Sequence, residues 1–353
     1  MFWIIIVFLC LLLSGNEMDP LSQGTVGAAF AQSIANKNNI IRIGIIGFLA
    51  GLAPDLDVLI RSENDPILFL EYHRQFSHSL FFIPLGSLII ALFIFPLFKK
   101  SMSFKTIYLA SFLGYATHGL LDACTSYGTL LFWPFSNERV TWNNISIVDP
   151  IFTLPVLILL GIAIKTRNRI FNFFAIGWII FYLSIGFIQY ERALSAAIKL
   201  AESRGHVAER MTLKPSFGNL ILWKSIYQHE ETFYVDAIRT VQSTTWCLGE
   251  NIRVFNYEYH LPNLNKDSQQ GEDIERFRWF SQNYLGYDKE KKLVTDIRYS
   301  MIPNQITPMW GLIIDDQRGI DEHAIWWTNR GLGQSQLDLF REMLSGKKCI
   351  NFK

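Results

Sequence analysis

Residues 79–98 (SLFFIPLGSLIIALFIFPLF) run for 20 positions without a charge. At the helical rise this covers the ~30 Å hydrocarbon core of a bilayer, so it predicts a membrane-spanning helix. Further apolar runs occupy 21–36, 40–60, 106–121, 151–164 and 171–189. Charge divides the chain the same way. Residues 1–190 hold 10 of the 31 acidic and 11 of the 32 basic residues, and 191–353 hold 21 of each. The expected fold is an α-helical multipass membrane bundle over 1–190, then a small β-rich (α+β) extracytoplasmic domain over 191–353.

Within the first part, Gly24, Gly27, Ala28, Ala29, Ala31 and Ala35 suit close helix–helix contact. Residues 2–13 are wholly apolar but short for a span, and no Lys or Arg precedes them, so they make a weak signal peptide. They are either a further span or part of an upstream extension over 1–17, with Met18 as an alternative start. In the second part, 191–211 has the period of an amphipathic helix. From Leu220 the segments shorten and turn β-like (LILWKSIY, TFYVDAIRTV, NIRVFNYEYH, KLVTDIRYS, MWGLIID), separated by Asn, Gly, Pro and Asp clusters. The net charge of +1 gives no basic excess for binding nucleic acid. Of the four cysteines, Cys247 and Cys349 fall in the polar half. They can pair if that half is extracytoplasmic, and two buried thiols fit equally well.

If every run crosses, Lys99, Lys100 and Lys105 lie on the same side as Lys165, Arg167 and Arg169, against only Arg61, Arg74 and Arg139 opposite. The bias places the six inside the cell. It then places Asp55, Asp57, His73, His78 and Asp122 at the outer face, with His118 about one turn deeper. Ionisable groups beside hydrocarbon are costly and mark sites. Asp55 and Asp57 follow Pro54, two apart, and reach one site from a turn. His118 and Asp122 are four apart and share a helix face. His73 and His78 are five apart, about 140° around a helix, so a loop or helix start is expected between them. Imidazole with carboxylate suits zinc, with manganese and iron as alternatives. Asp55, Asp57, His73, His78, His118 and Asp122 are therefore the candidate ligands. Six exceed one tetrahedral ion, so either two metals bind or some of the six orient the others. Arg74 is a candidate clamp for a phosphate or carboxylate group, and Asp57 a candidate general base. Gln23 lies at the same face. Asp149 and Asp19, each before a proline, read first as helix caps. A buried polar network that only joins helices is the competing reading of the Asp/His pairs.

At these residues the chain resembles the membrane-bound metal-dependent hydrolase family (YfhP/YdjM-like inner-membrane proteins). The matching motifs are Pro54-Asp55-Leu56-Asp57, His73-Arg74-Gln75-Phe76-Ser77-His78-Ser79, and His118 to Asp122 followed by Thr125-Ser126-Tyr127-Gly128. Trp133-Pro134-Phe135-Ser136, Asp149-Pro150 and Met18-Asp19-Pro20-Leu21-Ser22-Gln23 also match. Gln75 stands where the family has glycine, and Ser77 where it has threonine. The resemblance implies residence in the bacterial inner membrane among lipids, and a hydrolytic reaction class. The expectation is a hydrolase whose divalent metal activates water at the outer membrane interface, acting on a lipid or envelope phosphoester. The alternative is a non-catalytic membrane protein with a structural metal and a β-rich domain that binds a partner or regulates one. A metal or proton transporter is weaker, because the inner halves of the runs carry almost no ionisable residue.

Overall fold

A computed structural model describes residues 19–331 and 333–351. The apolar residues 2–13 lie outside them. The first helices start where the sequence supplies caps. α1 (Pro20–Gln32) is capped by Asp19, which accepts from Leu21 N, with proline at the first position. α2 (Ile40–Leu52) ends before Pro54 and tightens into a 3₁₀ helix, Ala53–Leu59. α3 (Leu68–Tyr72) and a 3₁₀ turn (Phe76–His78) precede α4 (Ile83–Phe98) and α5 (Phe104–Ala123). α6 (Pro150–Thr166) is capped by Asp149, which accepts from Ile151 N and Phe152 N, and α7 (Ile170–Ser203) follows.

α1, α2 and α5 pack with almost no side chain between them. A Cβ added at Gly27 would lie 2.6 Å from the Gly47 carbonyl oxygen, and one at Gly114 would lie 2.5 Å from the same atom. One at Gly51 would lie 2.8 Å from the Gln23 carbonyl oxygen. Only glycine permits this approach. Ala31, Ile43, Ile46, Ala91, Ile107 and Ala110 form the apolar core alongside.

The expected multipass bundle is not what these helices build. Among the described residues one helix, Ile170–Ser203, is long and apolar enough to cross a membrane. A second qualifies only if Leu68–His78 and Ile83–Phe98, bent by 88° at their break, are joined. The reason is fragmentation. α1 and α2 have 13 residues each, about 20 Å at the helical rise, against a core of ~30 Å. The run 79–98 gives its first four residues to a turn, leaving 16 in α4. α5 has 20 residues but carries Lys105, Ser111, Thr117, His118 and Asp122. The loop count that placed a cytoplasmic side assumed that every run crosses, so it loses its premise.

Two compact units divide the described residues: 19–59, 72–187 and 217–219 form one, and 60–71, 188–216, 220–331 and 333–351 the other. In the second, α7 runs unbroken to Ser203, so the first part of 191–211, expected to be a separate amphipathic helix, is its continuation, while Arg210 and Met211 already open β1. Ala193, Ala196, Ala197 and Leu200 pack there on Leu213, Trp223, Ile238 and Trp246. β1 (Arg210–Pro215), β2 (Leu222–His229), β3 (Thr232–Thr240), β4 (Thr244–Arg253) and β9 (Ile350–Asn351) form one antiparallel sheet in the order β1-β2-β3-β4-β9. β5 (Leu285–Asp288), β6 (Leu293–Asp296), β7 (Trp310–Ile313) and β8 (Ile325–Thr328) form an antiparallel meander. Cys247 of β4 is joined to Cys349 by a disulfide. The helices α8 (Tyr257–His260), α9 (Gln269–Phe280) and α10 (Gln334–Ser345) complete this unit.

Candidate metal centre

Three pieces of the first unit supply the site. The 3₁₀ helix after α2 carries Asp55 and Asp57, 1% and 5% exposed. Arg74 takes a left-handed φ of 63° and Gln75 does not (φ −99°). This turn breaks the helix between His73 and His78, so both reach one place. The positive φ falls one residue before the position where the family has glycine. α5 presents His118 and Asp122 one turn apart, both fully buried.

Four ligand atoms converge. His78 Nε2 is 2.9 Å from His118 Nε2, 3.3 Å from Asp55 Oδ1 and 3.1 Å from Asp122 Oδ2. His118 Nε2 is 3.2 Å from Asp55 Oδ1 and 3.5 Å from Asp122 Oδ2. A tetrahedral ion with ligands at 2.0–2.1 Å has ligand–ligand edges of about 3.3 Å, and these five edges span 2.9–3.5 Å.

The other ring atoms fix which nitrogens face the centre. His118 Nδ1 meets the Gly51 carbonyl oxygen at 2.5 Å, so Nδ1 carries a proton and Nε2 is the nitrogen turned to the other ligand atoms. His78 Nδ1 lies 3.0 Å from Ser77 Oγ, whose hydroxyl donates to Asp57 Oδ2, and 3.2 Å from Asp57 Oδ2 itself, so it too carries a proton. The two Nε2 atoms then face each other between two carboxylates. Asp55 Oδ2, Asp122 Oδ2 and Gln23 Oε1 are buried with no hydrogen-bond partner. With both imidazoles neutral, as metal ligation requires, Asp55, Asp57 and Asp122 together with the cation Arg74 leave a charge of −2 among these residues, which one divalent ion would cancel. The donor set fits a metal ion, and Asp55, His78, His118 and Asp122 are the residues that can hold it.

Asp57 and His73 stand beside this set, and with Asp55 they form a second group that could hold an ion. Asp57 is heavily engaged: Oδ1 faces His73 Nδ1 at 2.8 Å, and Oδ2 accepts from Arg74 N at 3.0 Å and Ser77 Oγ at 2.7 Å. Burial pushes both carboxyls up. In the metal-free site, positive charge on His118 beside Asp55, and on His73 and His78 beside Asp57, more than offsets this and holds both below the ordinary carboxylate range.

Arg74 is 1% exposed. Its Nε lies 3.3 Å from Asp122 Oδ2, its Nη1 donates to Thr125 Oγ1 at 3.1 Å, and its guanidinium sits 4.7 Å from the centre of the Tyr127 ring. Gln23 Nε2 donates to Asp122 Oδ1 at 2.7 Å. Sequence reasoning quoted Thr125 and Tyr127 in a motif without giving them a role; they position Arg74. It missed Gly119, where an added Cβ would fall inside 3.0 Å of the His78 carbonyl oxygen. It also missed Tyr115, whose hydroxyl donates to Ser77 O at 2.7 Å. Asp149 is a cap that also accepts from Tyr182 Oη at 2.7 Å. His206, His229, His260 and His323 belong to the second unit and join neither group.

No curated protein matches this chain, and neither does any solved structure. The family model described as YdjM inner membrane protein matches residues 18–193. That span contains all six acidic and imidazole residues of the site together with Arg74, and through it the chain belongs to the YdjM inner membrane protein family.

Proposed function

We propose that the centre is that of a metal-dependent hydrolase of the inner membrane, with zinc as its ion and a lipid or envelope phosphoester as its substrate. The observation that carries this reading is the pair of facing Nε2 atoms between two carboxylates, with five separations of 2.9–3.5 Å that match a tetrahedral ligand set. Asp55, His78, His118 and Asp122 would hold the ion, which would supply Lewis-acid activation of a water and of the phosphoryl oxygen. Asp55 Oδ2, a buried carboxylate oxygen with no hydrogen-bond partner and outside the four facing ligand atoms, takes the proton as water oxygen adds to phosphorus. The P–O bond to the alcohol then breaks, and the proton passes to the departing oxygen. The base role expected of Asp57 moves to Asp55, because hydrogen bonds already engage both oxygens of Asp57. Asp57 instead orients His73 and His78, and Arg74 offsets charge gathering on the phosphoryl group. The disulfide supports a C-terminal unit facing an oxidising compartment.

One observation favours a structural metal instead: four buried residues each bring a ligand atom to one place, enough to fill a tetrahedral ion. Elemental analysis and turnover of bis(p-nitrophenyl) phosphate separate the readings, with wild type run beside His118→Ala. The hydrolase reading expects about one or two equivalents of metal and turnover in wild type, and loss of both in the variant. Metal without turnover on phosphodiester and phosphomonoester panels, with unfolding on chelation, would establish the structural role. Equal metal in the two proteins would remove His118 from the ligands.

A further inference from the structure

An apolar cavity of about 410 Å³ lies between α1, α2 and α6. It is between two and three times the size of the ~150 Å³ engineered cavity that stays dry and binds benzene. No charged side chain lines it. Its lining follows α2 from Ile41 to Leu52, about 16 Å by the helical rise. The mean cross-section is therefore about 25 Å², room for one hydrocarbon chain and too narrow for a helix about 10 Å across.

One end of this groove is lined by residues that lie within three positions of the metal centre's own residues along α1 and α2. Leu52, in its lining, directly follows Gly51, whose carbonyl holds His118, and stands three residues before Asp55. Thr25, also in the lining, stands two residues after Gln23, which holds Asp122. Thr25 Oγ1 is buried and has no hydrogen-bond partner. A hydroxyl there can donate to an ester carbonyl where a chain joins glycerol. Gly161 of α6 forms part of the wall, and a Cβ built on it meets nothing within 4 Å.

We propose that the groove seats the acyl chain of a glycerophospholipid whose phosphoester lies at the metal centre. The headgroup's placement rests on the hydrolase reading; the seating of the chain does not. A chain lying along α2 brings its glycerol end to Leu52, three residues before Asp55, and to Thr25, two residues after the Gln23 that holds Asp122. The site thereby selects lipid-borne over soluble phosphoesters.

The test uses the full chain in detergent micelles and phosphatidylglycerol carrying a mid-chain diazirine, with labelled peptides read by mass spectrometry. Label should concentrate on 41–52 and 157–164. Gly161→Leu, which places an isobutyl group in the chain's path, should reduce that label by about five-fold or more. Gly177→Leu, which also meets nothing within 4 Å but lies on α7 outside the groove, should leave it unchanged. Label spread evenly over the exposed apolar residues Leu85, Leu92 and Phe93 of α4 would overturn the proposal, as would indifference to Gly161→Leu. A several-fold gain of groove label in a chain begun at Met18 would also overturn it, by making residues 1–17 the occupant. Labelling of the groove without hydrolysis of the probe would sink the hydrolase reading alone.

Discussion

Gly119→Ala leaves every candidate ligand in place and adds one methyl group. An added Cβ would fall inside 3.0 Å of the His78 carbonyl oxygen and 3.1 Å from its carbon, where ordinary contact begins at 3.4 Å. The His78 oxygen must therefore retreat by more than the 0.4 Å between those limits. Side-chain rotation cannot relieve the clash, because backbone meets backbone. The segment has little slack, since Tyr115 Oη donates to Ser77 O and Leu80 N to Leu131 O. Metal–ligand distances tolerate about ±0.2 Å, so the shift of His78 Nε2 exceeds what the site can absorb. The expected result is a loss of about 10- to 100-fold in metal affinity, comparable to losing a residue that orients a ligand. Overpacking should also destabilise the chain by roughly 1–3 kcal/mol. Competition with a chromophoric chelator measures the first, and thermal unfolding of the metal-free protein the second. Wild-type affinity in Gly119→Ala would refute the reasoning, because it would show that the His78 backbone is free to move without disturbing the site.

Asp57→Asn should keep the fold and lose about 10- to 100-fold in metal affinity, because the His78 ring loses its anionic partner; chelator competition checks this, and unchanged affinity would remove Asp57 as an orienting residue. Burial pushes the Lys224 amine down to about 7, with Glu250 and Asp296 pulling the other way. An amine held below its unfolded value of ~10.4 carries a penalty that is full below pH 7 and gone above pH ~10.4, so stability should rise with pH across that window. Lys224→Met should flatten this rise when melting temperature is followed from pH 6.5 to 10. The two profiles running parallel would count against the assignment. The disulfide spans 102 residues, so Cys247→Ser should destabilise the chain by about 2–5 kcal/mol in thermal unfolding. Its metal content should be unchanged, and loss of metal there would contradict the separate siting of the two features.

The site residues were legible because their chemistry is rare in their surroundings: each Asp/His pair stands beside an apolar run. Spacing alone placed His118 and Asp122 on one face and demanded a break between His73 and His78. The partition of labour was not legible. Whether Asp57 binds or orients depends on Arg74 N and Ser77 Oγ meeting its oxygens, which no periodicity encodes. The multipass fold failed because hydropathy counts residues and ignores where helices stop. Pro54 and the turn at 79–82 cut long apolar runs into pieces too short to span. In the second part the β-like segments around β2, β3, β6 and β7 were visible as short runs set off by Asn, Gly, Pro and Asp clusters, whereas the YEYH end of NIRVFNYEYH forms α8 instead of a strand. α9 was not, because its polar sequence QQGEDIERFRWF has few apolar positions to show a period.

The glycine seam between α1, α2 and α5 bears on which ion the cage can take. Gly27, Gly47, Gly51 and Gly114 bring backbones together with no side chain to rotate out of the way. The same helices anchor His118 through the Gly51 carbonyl and Asp122 through Gln23. A cage clamped in this manner cannot breathe outward to suit a larger guest. Calcium, which asks for six to eight oxygens at 2.3–2.6 Å, is shut out by ionic radius, and the small divalent ions compete among themselves for a mould that is already cast.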